Sequence, residues 1–203
     1  AQSLEVLIDG VITNAQQDVH KLAMLSQQEV HYQVCGLNPA GVDYGCDKRI
    51  HEHFEAQVER TPQAIAVVDE GLRLTYRELN ESANRVAHRL IEEGISNNQL
   101  VGIYAYRSAD FLIGILGIMK AGGAYVPLDP TNPSSRLSYM VEDAQVKAVL
   151  TLSSLKEQQA FPSDCAIVCL DEKASFGGYP TTNPQVVGSL DDYAYMIYTS
   201  GST

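Results

Sequence analysis

The sequence predicts an α/β fold with a mainly parallel sheet and helices on both faces. From residue 63 onward, short apolar runs typical of strands alternate with amphipathic stretches typical of helices. Such alternation favours parallel pairing, because each helix returns the chain to the end of the sheet where the next strand begins. Apolar residues make up 45% of the 203 positions and charged residues 19%, so the chain can bury a core.

The charge balance narrows the choice of partners. There are 14 lysines and arginines against 25 aspartates and glutamates, for a net charge of −11. A surface this acidic repels phosphate backbones and anionic lipids, so we expect no nucleic-acid and no membrane partner. The longest apolar run, residues 111–119, is too short to span a bilayer, which takes about 20 residues. We expect a cytoplasmic protein with reduced thiols, since no zinc pattern includes Cys35, Cys46, Cys165 or Cys169.

Residues 1–47 differ from the rest of the chain. An apolar stripe on one face of a first helix is formed by Leu4, Leu7, Ile8, Val11 and Ile12. A capping box at residues 26–29 predicts a second short helix that ends near Gly36, followed by a loop. We expect a linker whose helices dock on a preceding domain; the alternative is an arm that packs on its own domain. Both ends of the sequence look cut, which predicts an excerpt of a longer protein.

The elements become regular after Lys48. The first is a short amphipathic helix over 50–58. A hairpin follows, with strands at 64–68 and 72–75 around a tight turn. The capping box at residues 75–78 then opens a longer helix, which a glycine at 94 ends.

Strands and helices alternate in the remainder of the chain. Ser108 is placed to cap a helix, and the glycine pair at 122–123 is placed to end it. The expected strands lie at 100–105, 124–126, 146–150, 166–170 and 193–198, and the expected helices at 109–121, 134–143 and 154–159. Their order predicts parallel pairing, with a long loop over 171–190 before the last strand.

The candidate site lies where this last strand ends. The strand runs into Thr199, Ser200, Gly201, Ser202 and Thr203. Open α/β sheets bind ligands at the carboxyl ends of their strands, glycine lets backbone N–H groups converge on an anion, and hydroxyls donate further hydrogen bonds. The run is not a lysine-ending phosphate loop, since no Gly-Lys-Ser/Thr follows within the chain. Taken alone, it is more typical of a solvent-exposed, mobile loop.

Other conspicuous residues have plain structural interpretations. His51 and His53 are two apart on a predicted helix and point to different faces, so we do not expect them to share a metal. The acidic pair at 191–192 is typical of a solvated loop end. Gly114 and Gly117 are expected to allow close packing of a helix on the sheet.

Three segments together carry a more specific signal. They are Leu-Thr-Tyr-Arg-Glu-Leu at 74–79, Met-Lys-Ala-Gly-Gly-Ala-Tyr-Val-Pro-Leu-Asp-Pro at 119–130 and Tyr-Met-Ile-Tyr-Thr-Ser-Gly-Ser-Thr at 195–203. In this order and spacing they resemble the first three core motifs of adenylation domains of nonribosomal peptide synthetases, within the adenylate-forming superfamily. Residues 50–62 are similar to the entry into such domains, and residues 1–47 to their linker from an upstream condensation domain.

The resemblance implies a function and a site. Such domains activate an amino acid with ATP and Mg²⁺ as an aminoacyl adenylate, then load it onto the phosphopantetheine thiol of a downstream carrier domain. The third motif implies a phosphate loop in which residues 199–203 cradle the β- and γ-phosphates of ATP. The first two motifs imply structural roles. Tyr76 and Glu78 would begin a helix, and residues 127–130 would form a strand-to-helix turn.

The resemblance also implies what this chain does not contain. Residues 1–47 would be the linker, and residues 48–203 the N-terminal portion of the adenylation domain, truncated in the phosphate loop. The amino-acid pocket, the magnesium-binding acid and the catalytic lysine would follow Thr203, so no catalytic residue is assigned, and we expect the chain alone to be inactive and to bind ATP no better than millimolar. The alternatives are a relative of the acyl-CoA ligases and an inert docking fragment.

Overall fold

The computed structural model describes residues 2–37 and 47–199. The chain divides into two compact units, residues 1–46 and residues 47–203. Each unit has helices, and the sheets lie in the second.

The first unit is helical in its described part. Helix α1 spans Gln2–Thr13 and helix α2 spans Gln27–His31, which continues into a wider helical turn at Tyr32–Gly36. The Ser26 Oγ accepts a hydrogen bond from the Glu29 N–H at 3.1 Å, so the predicted cap is confirmed. Leu4 is 63% exposed and Ile12 76%, and no residue over 3–37 is buried. Four of the five residues of the apolar stripe are exposed, namely Leu4, Ile8, Val11 and Ile12.

The second unit contains four helices and six strands among its described residues. The helices are α3 Ile50–Arg60, α4 Tyr76–Glu92, α5 Ala109–Lys120 and α6 Ser134–Asp143. The strands are β1 Ile65–Asp69, β2 Leu72–Thr75, β3 Leu100–Tyr104, β4 Ala124–Pro127, β5 Ala148–Thr151 and β6 Ala166–Cys169. A short 3₁₀ turn at Lys173–Phe176 follows β6.

The pairing confirms the predicted α/β class. Strands β1 and β2 form an antiparallel hairpin. The other four form a parallel sheet in the order β4-β3-β5-β6, in which Val101 of β3 lies opposite Tyr125 on one side and Ala148 on the other. The chain therefore passes from β4 across β3 to reach β5, and this reversal of direction places crossover helices on opposite faces of the sheet.

Two apolar cores lie on the two faces of this sheet. Neighbouring residues along a strand contribute to opposite cores, because successive side chains point to opposite faces. The first core joins Val101, Ile103, Leu150 and Val168 to residues of α4 and α5, including Leu90 and Ile118. The second joins Val126 and Val149 to residues of α6, including Leu137, Met140 and Val141.

Side chains fix the starts of the helices that flank the sheet. At α4, the Thr75 Oγ1 accepts from the Glu78 N–H at 3.2 Å and the Glu78 carboxylate accepts from the Thr75 N–H at 2.8 Å, which confirms the predicted capping box. At α5, Ser108 accepts from the Phe111 N–H as expected. The Asp69 carboxylate, at the end of β1, accepts from the Ala109 N–H at 2.7 Å and so ties the hairpin to this helix.

The helix predicted at 154–159 is wrong, because this segment forms successive turns. A segment of six residues is too short to be stable as a helix without tertiary support. The buried Gln159 side chain instead accepts a hydrogen bond from Ser134 at 2.7 Å and donates one to Ser138 at 3.1 Å. These bonds hold the segment against α6 in a conformation that periodicity does not reveal.

The strand predicted at 193–198 is also wrong, because this segment forms only one bridge to the sheet. Tyr125 of β4 donates its N–H to the Ala194 carbonyl at 3.2 Å and accepts from the Met196 N–H at 3.0 Å. The next donor on this edge of β4 would be residue 127, which is a proline and has no N–H. The parallel ladder therefore stops after a single bridge.

The two glycines of α5 serve two different contacts. A Cβ on Gly114 would lie 2.7 Å from Ile103 Cδ1 of the sheet, as expected for close helix–sheet packing. A Cβ on Gly117 would lie 2.6 Å from Val86 Cγ1 and 3.2 Å from the Ala83 carbonyl oxygen, both on α4. The expectation is thus wrong for Gly117, which allows two helices to approach each other.

Gly117→Ala should lower the free energy of unfolding by about 1–3 kcal/mol, because the added methyl group overlaps the branched Cβ of Val86. Gly178→Ala is the matched control, since no heavy atom lies within 4 Å of the Cβ it would add. Urea unfolding of both variants measures the difference. Equal stability of the two variants would contradict the close contact between α4 and α5.

Candidate functional site

A cleft of about 540 Å³ opens at the carboxyl ends of β3 and β4. Its walls come from three segments that are far apart in sequence. They are the residues after β3 and on α5 (Ala105, Tyr106, Arg107, Phe111 and Ile115), those of β4 and its following turn (Tyr125, Pro127, Leu128, Asp129 and Thr131), and Ile197. Open α/β sheets bind ligands at this end of the strands, so the cleft is the candidate site.

The turn after β4 forms the rigid wall of the cleft. The Asp129 carboxylate accepts hydrogen bonds from the Thr131 N–H at 2.8 Å and from the Thr131 hydroxyl at 2.7 Å. The Asn132 N–H donates to the Asp129 carbonyl at 3.0 Å, and α6 begins two residues later. The expected strand-to-helix turn over 127–130 is therefore confirmed.

The charges of the cleft are one carboxylate and one guanidinium. The hydrogen bonds from Thr131 lower the pKa of Asp129, and the positive charge of Arg107 lowers it further. Asp129 is thus an anion already engaged in its own turn. Within the described residues, Arg107 forms no ion pair, and its side chain lines the cleft. The cleft therefore presents a positive charge beside the hydroxyl of Tyr106, a combination that suits an anionic group.

The predicted phosphate-loop residues are only partly within the described chain. Thr199 is described and exposed, whereas Ser200, Gly201, Ser202 and Thr203 lie outside the described residues. The structure does place the approach to them. Tyr195 bridges to Tyr125 of β4, their rings lie 5.6 Å apart, and Ile197 lines the cleft. Thr199 follows two residues later.

The sequence interpretation missed Tyr106 and Arg107. It treated the residues after β3 only as the lead into a helix cap at Ser108. A signal was present, because a basic residue directly after a buried strand lies at the ligand-binding end of a parallel sheet. What could not be seen is that Ile197 and Asp129 line the same cleft.

Two of the described cysteines are shielded from solvent, and the described residues contain no metal-ligand cluster. Cys165 and Cys169 are buried and free, and burial raises the pKa of the Cys165 thiol to about 11. Burial also raises the pKa of Cys169. Over residues 2–37 and 47–199, no group of three or more histidine, cysteine, aspartate or glutamate side chains could hold a metal ion.

Comparison with known proteins identifies the family to which this α/β chain belongs. The family "AMP-binding enzyme" matches residues 54–203. The chain belongs to this family.

Its similarity to curated relatives extends over nearly the whole chain. It is 40% identical over 202 residues to one of the linear gramicidin synthase proteins of Brevibacillus parabrevis, a match that covers 100% of this chain and 3% of that protein. Gramicidin S synthase 2 of Brevibacillus brevis is 40% identical over 97% of the chain and 4% of its own length. Tyrocidine synthase 2 of Brevibacillus parabrevis is also 40% identical, over 97% of the chain and 5% of its own length. The chain thus spans only a few per cent of these relatives.

Solved structures give the same result. The nonribosomal peptide synthetase FmoA3, in its form bound to α-methyl-L-serine-AMP, superposes with a TM-score of 0.81 at 31% identity. This match covers 98% of the present chain and 23% of the other. A Mycobacterium tuberculosis fatty acyl CoA synthetase gives a TM-score of 0.66 at 24% identity over 75% of the chain and 32% of its own, a likeness of fold alone. The resemblance to adenylation domains is confirmed.

Proposed function

We propose that the chain forms the N-terminal part of an adenylation domain of a nonribosomal peptide synthetase. The complete domain activates an amino acid with ATP as an aminoacyl adenylate and loads it onto the phosphopantetheine thiol of a carrier domain. One observation carries this proposal. Similarity to peptide synthetases extends over the whole chain, including the first unit, whereas the match to a fatty acyl CoA synthetase covers 75% of it.

The activation step sets the demands on the site. The carboxylate of the amino acid attacks the α-phosphate of ATP, and pyrophosphate leaves. Because two anions must meet, donors and positive charge that are fixed in advance lower the barrier most. We assign the contacts with the β- and γ-phosphates to Thr199, Ser200, Gly201, Ser202 and Thr203, and their place directly after the cleft-lining residue 197 supports this.

The residues that contact the cofactors belong partly to this chain and partly to the rest of the proposed domain. ATP use follows from the family, and Mg²⁺ and phosphopantetheine belong to the proposal. We assign no step on this chain to magnesium, because the resemblance implies that the magnesium-binding acid lies downstream of Thr203.

The proposal extends to domains and partners. We assign residues 1–47 to the linker from an upstream condensation domain and residues 48–203 to the adenylation domain, and the division of the structure after residue 46 supports this boundary. The partners are then the amino acid, the condensation domain and a downstream carrier domain. We place the synthetase in the cytoplasm, where ATP and amino acids are supplied. Among the described residues, no helix is long and apolar enough to cross a membrane.

The test is ATP–pyrophosphate exchange by the complete adenylation domain, assayed with each amino acid in turn. We expect exchange at least tenfold above the background with one amino acid or a few related ones. Ser202→Ala should raise the KM for ATP about tenfold, because a hydrogen bond to a charged phosphate is lost. Exchange with fatty acids but with no amino acid, followed by transfer to coenzyme A, would replace the proposal with an acyl-CoA ligase. No exchange with any acid would leave a docking role.

A further inference from the structure

Two contacts help to hold the segment that leads into the proposed phosphate loop. The first is the bridge between Tyr195 and Tyr125 of β4. The second is Tyr198, whose hydroxyl donates a hydrogen bond to the Asp143 carboxylate at 2.5 Å. Asp143 is the last residue of α6, so the second attachment joins the segment to a helix and not to the sheet.

The sheet contributes one bridge to this segment. Pro127 has no N–H, so the donor that would continue the ladder toward residue 196 is missing. The contacts of the Tyr198 side chain therefore help to set the position of the backbone at residue 198. The residue that follows it is Thr199, the first of the proposed loop.

The surroundings of Tyr198 fix its ring as well as its hydroxyl. The ring packs against the apolar core beneath α6 and meets the ring of Tyr139 edge to face, with centroids 6.3 Å apart. Tyr139 and Asp143 are four apart on α6 and so lie on the same face of the helix. Burial and the bond to Asp143 raise the pKa of Tyr198, which keeps its hydroxyl a proton donor at neutral pH.

We propose that Tyr198 and Asp143 are a positioning pair that sets where the phosphate loop begins, and thereby orients the triphosphate of ATP. This inference rests on the proposed function, because the loop must bind ATP for its position to matter. Tyr198 itself is not a catalytic residue, since its hydroxyl is directed at α6. Its effect on the reaction passes through the backbone of Thr199.

The kinetic test compares three variants in the complete adenylation domain. Tyr198→Phe should raise the KM for ATP about tenfold and change the KM for the amino acid less than twofold. Asp143→Ala should do the same, whereas Asp143→Asn, whose amide oxygen still accepts the bond, should stay within threefold of the wild type. Tyr139→Phe is the matched control, since it removes a neighbouring hydroxyl and keeps the ring contact.

Three results would overturn the proposal. The first is a Tyr198→Phe enzyme with the kinetics of Tyr139→Phe. The second is additivity, because residues that act as one pair should give a Tyr198→Phe/Asp143→Ala double variant no worse than either single variant. The third is an equal rise in both KM values, since that pattern indicates a general loss of structure.

Amide hydrogen exchange tests the pair independently of activity. The Met196 N–H, which donates to Tyr125, should exchange about tenfold faster in Tyr198→Phe than in Tyr139→Phe. If the wild type activates no acid but this difference is found, the proposed function fails and the structural role of the pair stands. If the wild type is active and the exchange rates are equal, the pair fails and the function stands.

Discussion

Glu55→Gln should destabilise the protein by about 3 kcal/mol, measured by urea unfolding at pH 7. The Glu55 carboxylate pairs with the Lys120 ammonium, whose side chain is 0% exposed, while Glu55 itself is 21% exposed. Lys120 also donates to Asn183 Oδ1 at 3.1 Å. Removing the negative charge leaves a fully buried cation without its counter-ion, which is far more unfavourable than losing a surface pair.

The pH dependence of this variant provides an independent check. Burial lowers the pKa of Lys120 from 10.5, and the Glu55 bond and charge oppose this effect. In Glu55→Gln the pKa should fall further. Between the folded-state pKa and 10.5, the unfolded chain holds a proton that the folded chain has released, so stability rises with pH. The variant should therefore regain stability toward pH 10 more than the wild type does.

Two comparisons make the interpretation specific. Glu59→Gln makes the same change one turn further along α3 at an exposed position, and should alter stability by less than about 0.5 kcal/mol. Lys120→Met removes the buried charge itself and leaves Glu55 partly accessible to water, so it should be less destabilising than Glu55→Gln. If Lys120→Met were the more destabilising variant, the unpaired Lys120 ammonium would not be the main cause of the lower stability of Glu55→Gln.

Lys120 shows what the sequence could not reveal. The lysine stands within the segment 119–130 that carries the family resemblance, yet nothing in that segment indicates burial. Its partners, Glu55 and Asn183, lie 65 and 63 residues away along the chain. Periodicity and capping rules report neighbours in sequence, whereas this contact arises only when α3, α5 and the long loop meet.

The elements that could be predicted depend on local interactions. The α4 capping box at 75–78 is complete within four residues, and the four-residue strand β5 is recognisable in the sequence as part of a short apolar run. The two errors at 154–159 and 193–198 have tertiary causes. The first segment is held by the bonds of Gln159 to α6, and the second meets the proline at the end of β4.

The candidate site also has a part that local sequence predicts and a part that depends on tertiary contacts. The phosphate loop at residues 199–203 stays a prediction from the resemblance. The strand-to-helix turn was correctly interpreted because Asp129 bonds to a residue only two positions away. The cleft was not foreseen. It is formed by Arg107, Asp129 and Ile197, which belong to three different segments. A sequence pattern can indicate that each residue lies near a strand end, but not that they share one cavity.

Acid should destabilise the protein through His51. This side chain is 7% exposed, and burial together with the charges of Arg49 and Lys120 lowers its pKa from 6.5 to about 4, while Glu52 acts in the opposite direction. Below pH 6.5 the unfolded chain takes up a proton that the folded chain does not. Stability should therefore fall as pH drops from 6.5 to 4, by up to about 1.4 kcal/mol per pH unit and at most about 3 kcal/mol in total.

The measurement is urea unfolding at several pH values from 7 to 4.5, with His51→Gln compared with His53→Gln. This pH range separates the effect of His51 from that of Glu52. Hydrogen bonds from Arg49 lower the pKa of Glu52 from 4.5 to about 2, so the contribution of this carboxylate to stability is lost only below that range. His51→Gln should flatten the decline even if it lowers stability at pH 7, whereas His53→Gln, at an exposed position on the same helix, should retain it. An unchanged slope in His51→Gln would show that another group takes up the proton, because only a residue whose pKa differs between the folded and unfolded states can produce such a slope.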